Sequence, residues 1–223
     1  MAKRKITKRT SGKRVTQGSL LTSNERTAIK SIGEPIALLL GRIGFSPDGL
    51  TLVGFGIVLV ATAQVAIGNW AIAAGILIAG TIFDGLDGTL ARATNRVTAF
   101  GAFFDSSLDR AAEAAIYAGI VYSASVIGNT QMATAAVLAL GIGSLVSYVR
   151  ARGEGLGVSA HGGIAQRAER AVLLIVGLLV AGFTGETNYL LYALLIIVAL
   201  SAVTVLQRIL FIRAALTTTR RRA

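Results

Sequence analysis

The sequence predicts an all-α integral membrane protein: six transmembrane helices preceded by an N-terminal amphipathic interfacial helix. Three observations carry this. Hydrophobic residues make up 53% of the 223, and mean hydropathy is +0.67. They gather in six nearly uncharged segments, 49–67, 69–83, 111–128, 131–149, 171–184 and 188–207. These segments are apolar all round, whereas soluble helices of this length carry a polar face. A chain this short has too little interior to bury six such helices. Several reach the roughly 20 residues needed to span a bilayer core.

The elements follow in order. Residues 1–22 read as a basic tail, with seven Lys and Arg and no acid in the first 21. No apolar stretch resembling a cleavable signal follows them, so none is expected. Residues 23–43 form the interfacial helix. Ser23 or Asn24 caps it, and Ile29, Ile32, Ile36, Leu39, Leu40 and Ile43 share one face. Pro35 bends it, and an apolar stripe with basic flanks suits the plane of a membrane surface. The stretch from Gly44 to Gly49 is a turn, and the six membrane helices occupy 48–214. Residues 215–223 read as a basic C-terminal tail. The 26 glycines are expected mainly as packing residues between close helices.

Charge sets the expected orientation. Of the 22 Lys and Arg, ten lie in residues 1–43. Arg92, Arg96 and Arg110 flank the second-to-third connection. Arg150, Arg152, Arg167 and Arg170 flank the fourth-to-fifth, and Arg208, Arg213 and Arg220 to Arg222 lie at the end. The connections near Gly68, Asn129 and Glu186 have none. Basic loops stay cytoplasmic. The expectation is a multi-pass plasma-membrane protein with both termini and the second and fourth connections in the cytoplasm. The net charge of +11 then belongs against anionic lipid head groups rather than nucleic acid. With no cysteine, disulfides play no part.

The chemistry concentrates in residues 84–109. Asp84 and Asp87 are three apart near the end of the second membrane helix. Asp105 and Asp109 are four apart near the start of the third. Each pair shares a helix face. The short connection predicts that the two helices are antiparallel neighbours, so four carboxylates converge at one depth. One such carboxylate costs about 2.5–3.5 kcal/mol at mid-membrane, and four together repel one another. A divalent cation relieves both costs. An all-oxygen set without His or Cys favours Mg²⁺ or Mn²⁺. Four carboxylates exceed the usual share of one Mg²⁺, which suggests two ions, or one carboxylate in another role. An ion or proton pathway is the alternative of a different class, since intramembrane carboxylates also line transport routes. A salt-bridge network with Arg92, Arg96 and Arg110 is the structural alternative.

The pattern Asp84-x2-Asp87-Gly88-x2-Ala91-Arg92-x8-Gly101-x3-Asp105-x3-Asp109 resembles the motif of the CDP-alcohol phosphatidyltransferases. The resemblance implies an enzyme that cleaves a CDP-linked lipid, joins the phosphoryl-bearing part to a hydroxyl acceptor and releases CMP. It implies that Asp84, Asp87 and Asp105 hold the metal, with Asp109 on a second ion or acting as general base. Gly88, Arg92, Thr98 and Gly101 would line the CDP-lipid pocket. The stretch Ser46-Pro47-Asp48-x2-Thr51 is similar to the family's approach to its first membrane helix.

Beyond the motif, Ser147-x2-Arg150, the Glu169-Arg170 pair and Arg208 resemble the acceptor pocket of phosphatidylinositol-phosphate and archaetidylinositol-phosphate synthases. That resemblance implies CDP-diacylglycerol or CDP-archaeol as donor, inositol phosphate as acceptor, and a homodimer. Arginines gathered at one membrane edge suit an anionic acceptor. Glycerol 3-phosphate, also anionic, is the competing one. His161 reads as an exposed loop residue and Trp70 as an interfacial anchor.

Overall fold

The computed structural model describes residues 35–160 and 162–220, with side chains to residue 217. The expectations for residues 1–22, for the first part of the 23–43 helix, for His161 and for residues 221–223 lie outside the described residues. The fold is all-α. Residues 35–42 are helical (α1). Six longer helices follow: α2 (Pro47–Ala66), α3 (Trp70–Ala93), α4 (Ala99–Val126), α5 (Thr130–Gly155), α6 (Arg167–Thr184) and α7 (Asn188–Arg220). Helix α7 thus runs on into the stretch read as a C-terminal tail.

Local chemistry fixes the helix ends. The Ser46 side chain accepts from the Gly49 amide at 3.0 Å and Pro47 opens α2, a side-chain cap followed by a residue with no amide to lose. Thr98 accepts from the Gly101 amide at 2.9 Å and so caps α4. Between α3 and α4 the chain reverses through Asn95, whose φ of 53° places it in the left-handed region that Asn tolerates.

Helices α2 to α7 close a ring. Each packs on two others, in the spatial order α2, α3, α6, α7, α5, α4 and back to α2. The main core fills the ring with residues such as Ala61, Trp70, Ile120, Met132, Leu178 and Ile197. A smaller cluster of Ala37, Leu50, Leu86 and Leu90 seats α1 on α2 and α3. Close approach needs glycine at some crossings. A Cβ on Gly119 would lie 2.9 Å from the Thr62 carbonyl oxygen, and one on Gly182 would collide with the Ala71 backbone. Gly54, Gly56, Gly75, Gly85 and Gly141 have nothing within 4 Å of that position. The expectation that glycines serve mainly in packing therefore holds only for a subset.

The ring corrects a second expectation. Helices α3 and α4 are joined by a short connection, yet they are not packed neighbours. Both pack on α2, which stands between them, and α6 closes on α3 from the other side. The gap between α3, α4 and α6 becomes a cavity.

The outer surface is apolar. Leu52, Val60, Ile72, Ile82, Val137, Leu206 and Phe211, among many others, are more than half exposed. A belt this extensive is far beyond the patches a water-soluble monomer tolerates, and it marks an integral membrane protein. Four described helices are long and apolar enough to cross a membrane: α2, α3, α5 and α7. Helices α4 and α6, counted as spans from the sequence, fall outside that group for a physical reason. Asp105, Asp109, Arg110 and Glu113 lie on α4, and Arg167, Glu169 and Arg170 on the 18-residue α6. The two helices that fail on apolarity carry most of the charges of the site, with Asp84 and Asp87 on α3. On α1, Ile36, Leu38 and Leu39 are exposed while Ala37 is buried.

Candidate active site

The starts of α2, α4 and α6 and the end of α3 meet at one end of the ring. Asp84, near the end of α3, and Asp105 and Asp109, in the second and third turns of α4, each offer a carboxylate oxygen to one group within 4.8 Å. These are hard oxygen donors with no nitrogen or sulfur among them, the set that suits a divalent cation such as Mg²⁺ or Mn²⁺. Three carboxylates so close are unfavourable without a cation, so the residues fit the group that the sequence called for.

Asp87 stands apart from that trio. It is 9% exposed and accepts a hydrogen bond from Thr51 Oγ1 at 2.7 Å. Its carboxylate also accepts from the Gly88 amide. Thr51 is on α2, so this bond holds α3 to the helix lying between the two aspartate pairs.

A cation does sit among the carboxylates, and it belongs to the protein. Arg167, the first residue of α6, places NH1 3.3 Å from Asp84 Oδ2 and NH2 2.5 Å from Asp109 Oδ1. The arginines that the structural alternative invoked do not do this. Arg92 hydrogen-bonds Thr89 on its own helix. Arg110 turns away to Ser147 on α5 and lies 3.5 Å from Glu113. No contact of Arg96 with the cluster is present among the described residues.

Beneath the aspartates lies a cavity of about 390 Å³. Asp84, Asp109, Glu113, Arg167 and Arg170 supply its charged wall, while Phe55, Val58, Leu77, Ile116, Leu174 and Ile175 supply an apolar one. A charged mouth on an apolar chamber suits an amphiphile whose head is anionic.

The residues expected to bind the donor and acceptor sort differently. Gly88, Arg92, Thr98 and Gly101 lie around the α3–α4 connection and do not line the cavity. A Cβ on Gly88 would meet Arg92 NH1 at 3.3 Å, and one on Gly101 would meet Asp48 Oδ1 at 3.3 Å. Of the acceptor set, Arg170 lines the cavity and is 2% exposed. Its NH2 donates to Glu113 Oε1 at 2.6 Å and its NH1 to the Ala165 carbonyl at 3.4 Å. Its buried Nε has no hydrogen-bond partner. Ser147 joins this network through Arg110, which lies beside Glu113. Arg208 is buried behind it and donates to the Val146 carbonyl at 2.6 Å and the Gly162 carbonyl at 2.9 Å. Arg150 is exposed and pairs with Glu154 at 2.9 Å. Trp70 is buried and donates to Ser123 across the ring, rather than standing at the surface as an anchor.

With this geometry in hand, the comparisons with known proteins are decisive about family. The family model described as CDP-alcohol phosphatidyltransferase matches residues 45–219. The chain belongs to the CDP-alcohol phosphatidyltransferase family. Among the relatives of this phosphatidyltransferase is the archaetidylinositol phosphate synthase of Methanothermobacter thermautotrophicus, 39% identical over 84% of this chain and 91% of the relative. Another is the phosphatidylinositol phosphate synthase of Mycobacteroides abscessus, 34% identical over 84% of this chain and 86% of the relative. The fold matches a crystal structure of Mycobacterium tuberculosis phosphatidylinositol phosphate synthase with CDP-DAG bound. The TM-score is 0.77 and the identity 27%, over 82% of this chain and 94% of that one. A second crystal structure of that synthase, in complex with manganese and citrate, matches with a TM-score of 0.76 at 26% identity, over 81% and 88% of the two chains.

Two residues of this phosphatidyltransferase's site were not legible in its motif. Glu113 is one turn beyond Asp109 on the same face of α4, and an i+4 reading from Asp109 would have found it. Arg167 had no comparable signal, because its partners are 83 and 58 residues away in sequence.

Proposed function

We propose that the protein transfers a phosphatidyl or archaetidyl group from a CDP-linked lipid to inositol phosphate and releases CMP. The observation that carries this reading is the convergence of Asp84, Asp105 and Asp109 at the mouth of an amphiphilic cavity whose wall includes Arg170.

Asp84, Asp87, Asp105 and Asp109 hold Mg²⁺ or Mn²⁺ in this reading, two ions in its full form. The bound metal screens the diphosphate charge and stabilises the leaving CMP. The acceptor hydroxyl oxygen forms a bond to the lipid-side phosphorus while the bond from that phosphorus to the bridging oxygen breaks. CMP leaves with the bridging oxygen. Asp109, the more buried of the two aspartates that Arg167 touches, is placed to take the hydroxyl proton. Gly88, Arg92, Thr98 and Gly101 form the nucleotide side of the site around the α3–α4 connection. On the acceptor side, the unpartnered Nε of Arg170 is a free donor for an anion. Ser147, Arg150 and Arg208 complete that pocket. Names and folds of the relatives support inositol phosphate over glycerol 3-phosphate. A transport route gains no support: the helices that carry the carboxylates are continuous rather than broken.

The same reading makes all six long helices transmembrane, with α4 and α6 admitted because their charges face the site. The active site and both termini are cytoplasmic, α1 belongs to a helix at the membrane surface, and the enzyme is a homodimer. Residues 23–214 form one membrane domain between basic tails.

The test is CMP release by purified protein given CDP-diacylglycerol or CDP-archaeol, Mn²⁺ and one acceptor at a time. Release with inositol phosphate is expected. Release only with glycerol 3-phosphate would overturn the acceptor assignment.

A further inference from the structure

The contact between Arg167 and two of the three clustered aspartates has a consequence for how the site is loaded. The Arg167 guanidinium bridges Asp84 and Asp109 at 3.3 and 2.5 Å, from a different helix than either. A guanidinium that meets two carboxylates at once offsets part of their mutual repulsion without metal. A divalent cation needs the same oxygen atoms. It also repels a guanidinium held a few ångströms away. Both cations cannot occupy the cluster.

We infer that Arg167 is an exchangeable internal counter-ion: it holds the aspartates together without metal and is displaced when the metal binds. The inference rests on the reading that these aspartates are the metal site. Three features favour exchange over a fixed ion pair. Arg167 is 44% exposed, so its side chain has room to leave, unlike Arg170 at 2%. It is the first residue of α6, where its backbone is tied only on one side. Among the described residues its guanidinium makes close contacts only with these two aspartates, whereas Arg170 is held by both Glu113 and the Ala165 carbonyl. The device keeps α3, α4 and α6 in register before loading, and it sets the metal affinity lower than the bare cluster would have.

The test is Mn²⁺ binding measured by electron paramagnetic resonance on the purified full chain, with no substrate present. Arg167→Gln removes the competing charge and keeps a polar side chain. It is expected to bind Mn²⁺ about fivefold more tightly than the unaltered protein, the factor that one partly exposed ion pair is worth. Arg167→Lys keeps the charge but loses the two-pronged contact, and should fall between them. In chelator, R167Q should melt at a lower temperature than the unaltered protein, and Mn²⁺ should raise its melting temperature by more. If the unaltered protein binds Mn²⁺ and R167Q binds it equally or more weakly, the counter-ion role is overturned while the metal site stands. If the unaltered protein binds no Mn²⁺, both readings fall. Should R167Q prove unfolded, the Lys variant alone decides: affinity equal to or weaker than that of the unaltered protein refutes the exchange.

Discussion

Thr51 shows how much of this site depends on a residue that does no chemistry. Its hydroxyl donates to Asp87 at 2.7 Å across the α2–α3 contact, where Asp87 is nearly buried. Removing the donor leaves a buried carboxylate short of a partner, a loss of about 1–3 kcal/mol. Thr51→Val keeps the shape and deletes the bond. The expected result is a thermal melt shifted downward in metal-free buffer, with most of the loss recovered in Mn²⁺, which gives the Asp87 carboxylate another partner. Differential scanning fluorimetry in detergent checks it; equal losses with and without Mn²⁺ would mean that Asp87 has no share in the metal site. Arg170 follows the same logic with opposite sign. It is buried with Glu113 at 2.6 Å, and the opposite charges offset part of the cost of burying each, while Arg170 Nε and Glu113 Oε2 stay without a hydrogen-bond partner.

At the scale of elements, the helices were legible from apolar runs, and their neighbours were not. The caps at Ser46 and Thr98 that fix the starts of α2 and α4 came from the structure. The aspartate pairs could be placed on helix faces from spacing alone, because 3.6-residue periodicity is local. Which helices touch is a non-local property. A short connection suggested that α3 and α4 pack together, but α2 sits between them. Without the ring order there was no way to see that α6 reaches the aspartates, which is why Arg167 was read only as a basic flank of the fourth-to-fifth connection. The ring depends on a few close crossings. At α2–α4, a Cβ on Gly119 meets the Thr62 backbone. Gly119→Val is therefore expected to cost about 1–3 kcal/mol, while Gly141→Ala, in open space, should change stability by less than about 0.5 kcal/mol. Melting temperatures in one detergent compare the two; similar melting temperatures for both variants would mean that the α2–α4 crossing is not tight.

For the whole molecule, the charge distribution predicts one orientation, with the basic connections in the cytoplasm. The α3–α4 and α5–α6 connections carry basic residues and stand at the end where the aspartates meet, and the Asn129–Thr187 contact joins two of the other three at the far end. The protein lacks cysteine, which makes labelling direct. In intact cells a membrane-impermeant maleimide should label Glu186→Cys and leave Arg96→Cys unlabelled until the membrane is permeabilised. The reverse pattern would invert the topology. The all-α membrane class and the family were thus readable from the apolar runs and one motif. The acceptor half was readable only as a list of arginines. Their partners, Glu113 for Arg170 and two backbone carbonyls for Arg208, needed the fold.

The central claim is that the aspartate cluster drives transfer from a CDP-lipid to inositol phosphate. Its most direct measurement is the stoichiometry of products from purified protein with CDP-lipid, inositol phosphate and Mn²⁺. CMP would be quantified by chromatography and the new lipid by mass spectrometry. The account predicts one CMP per phosphoinositol lipid, dependence on added metal, and loss of both products in a folded Asp105→Asn variant. CMP formed without a phosphoinositol lipid, or near-normal turnover by Asp105→Asn, would contradict it.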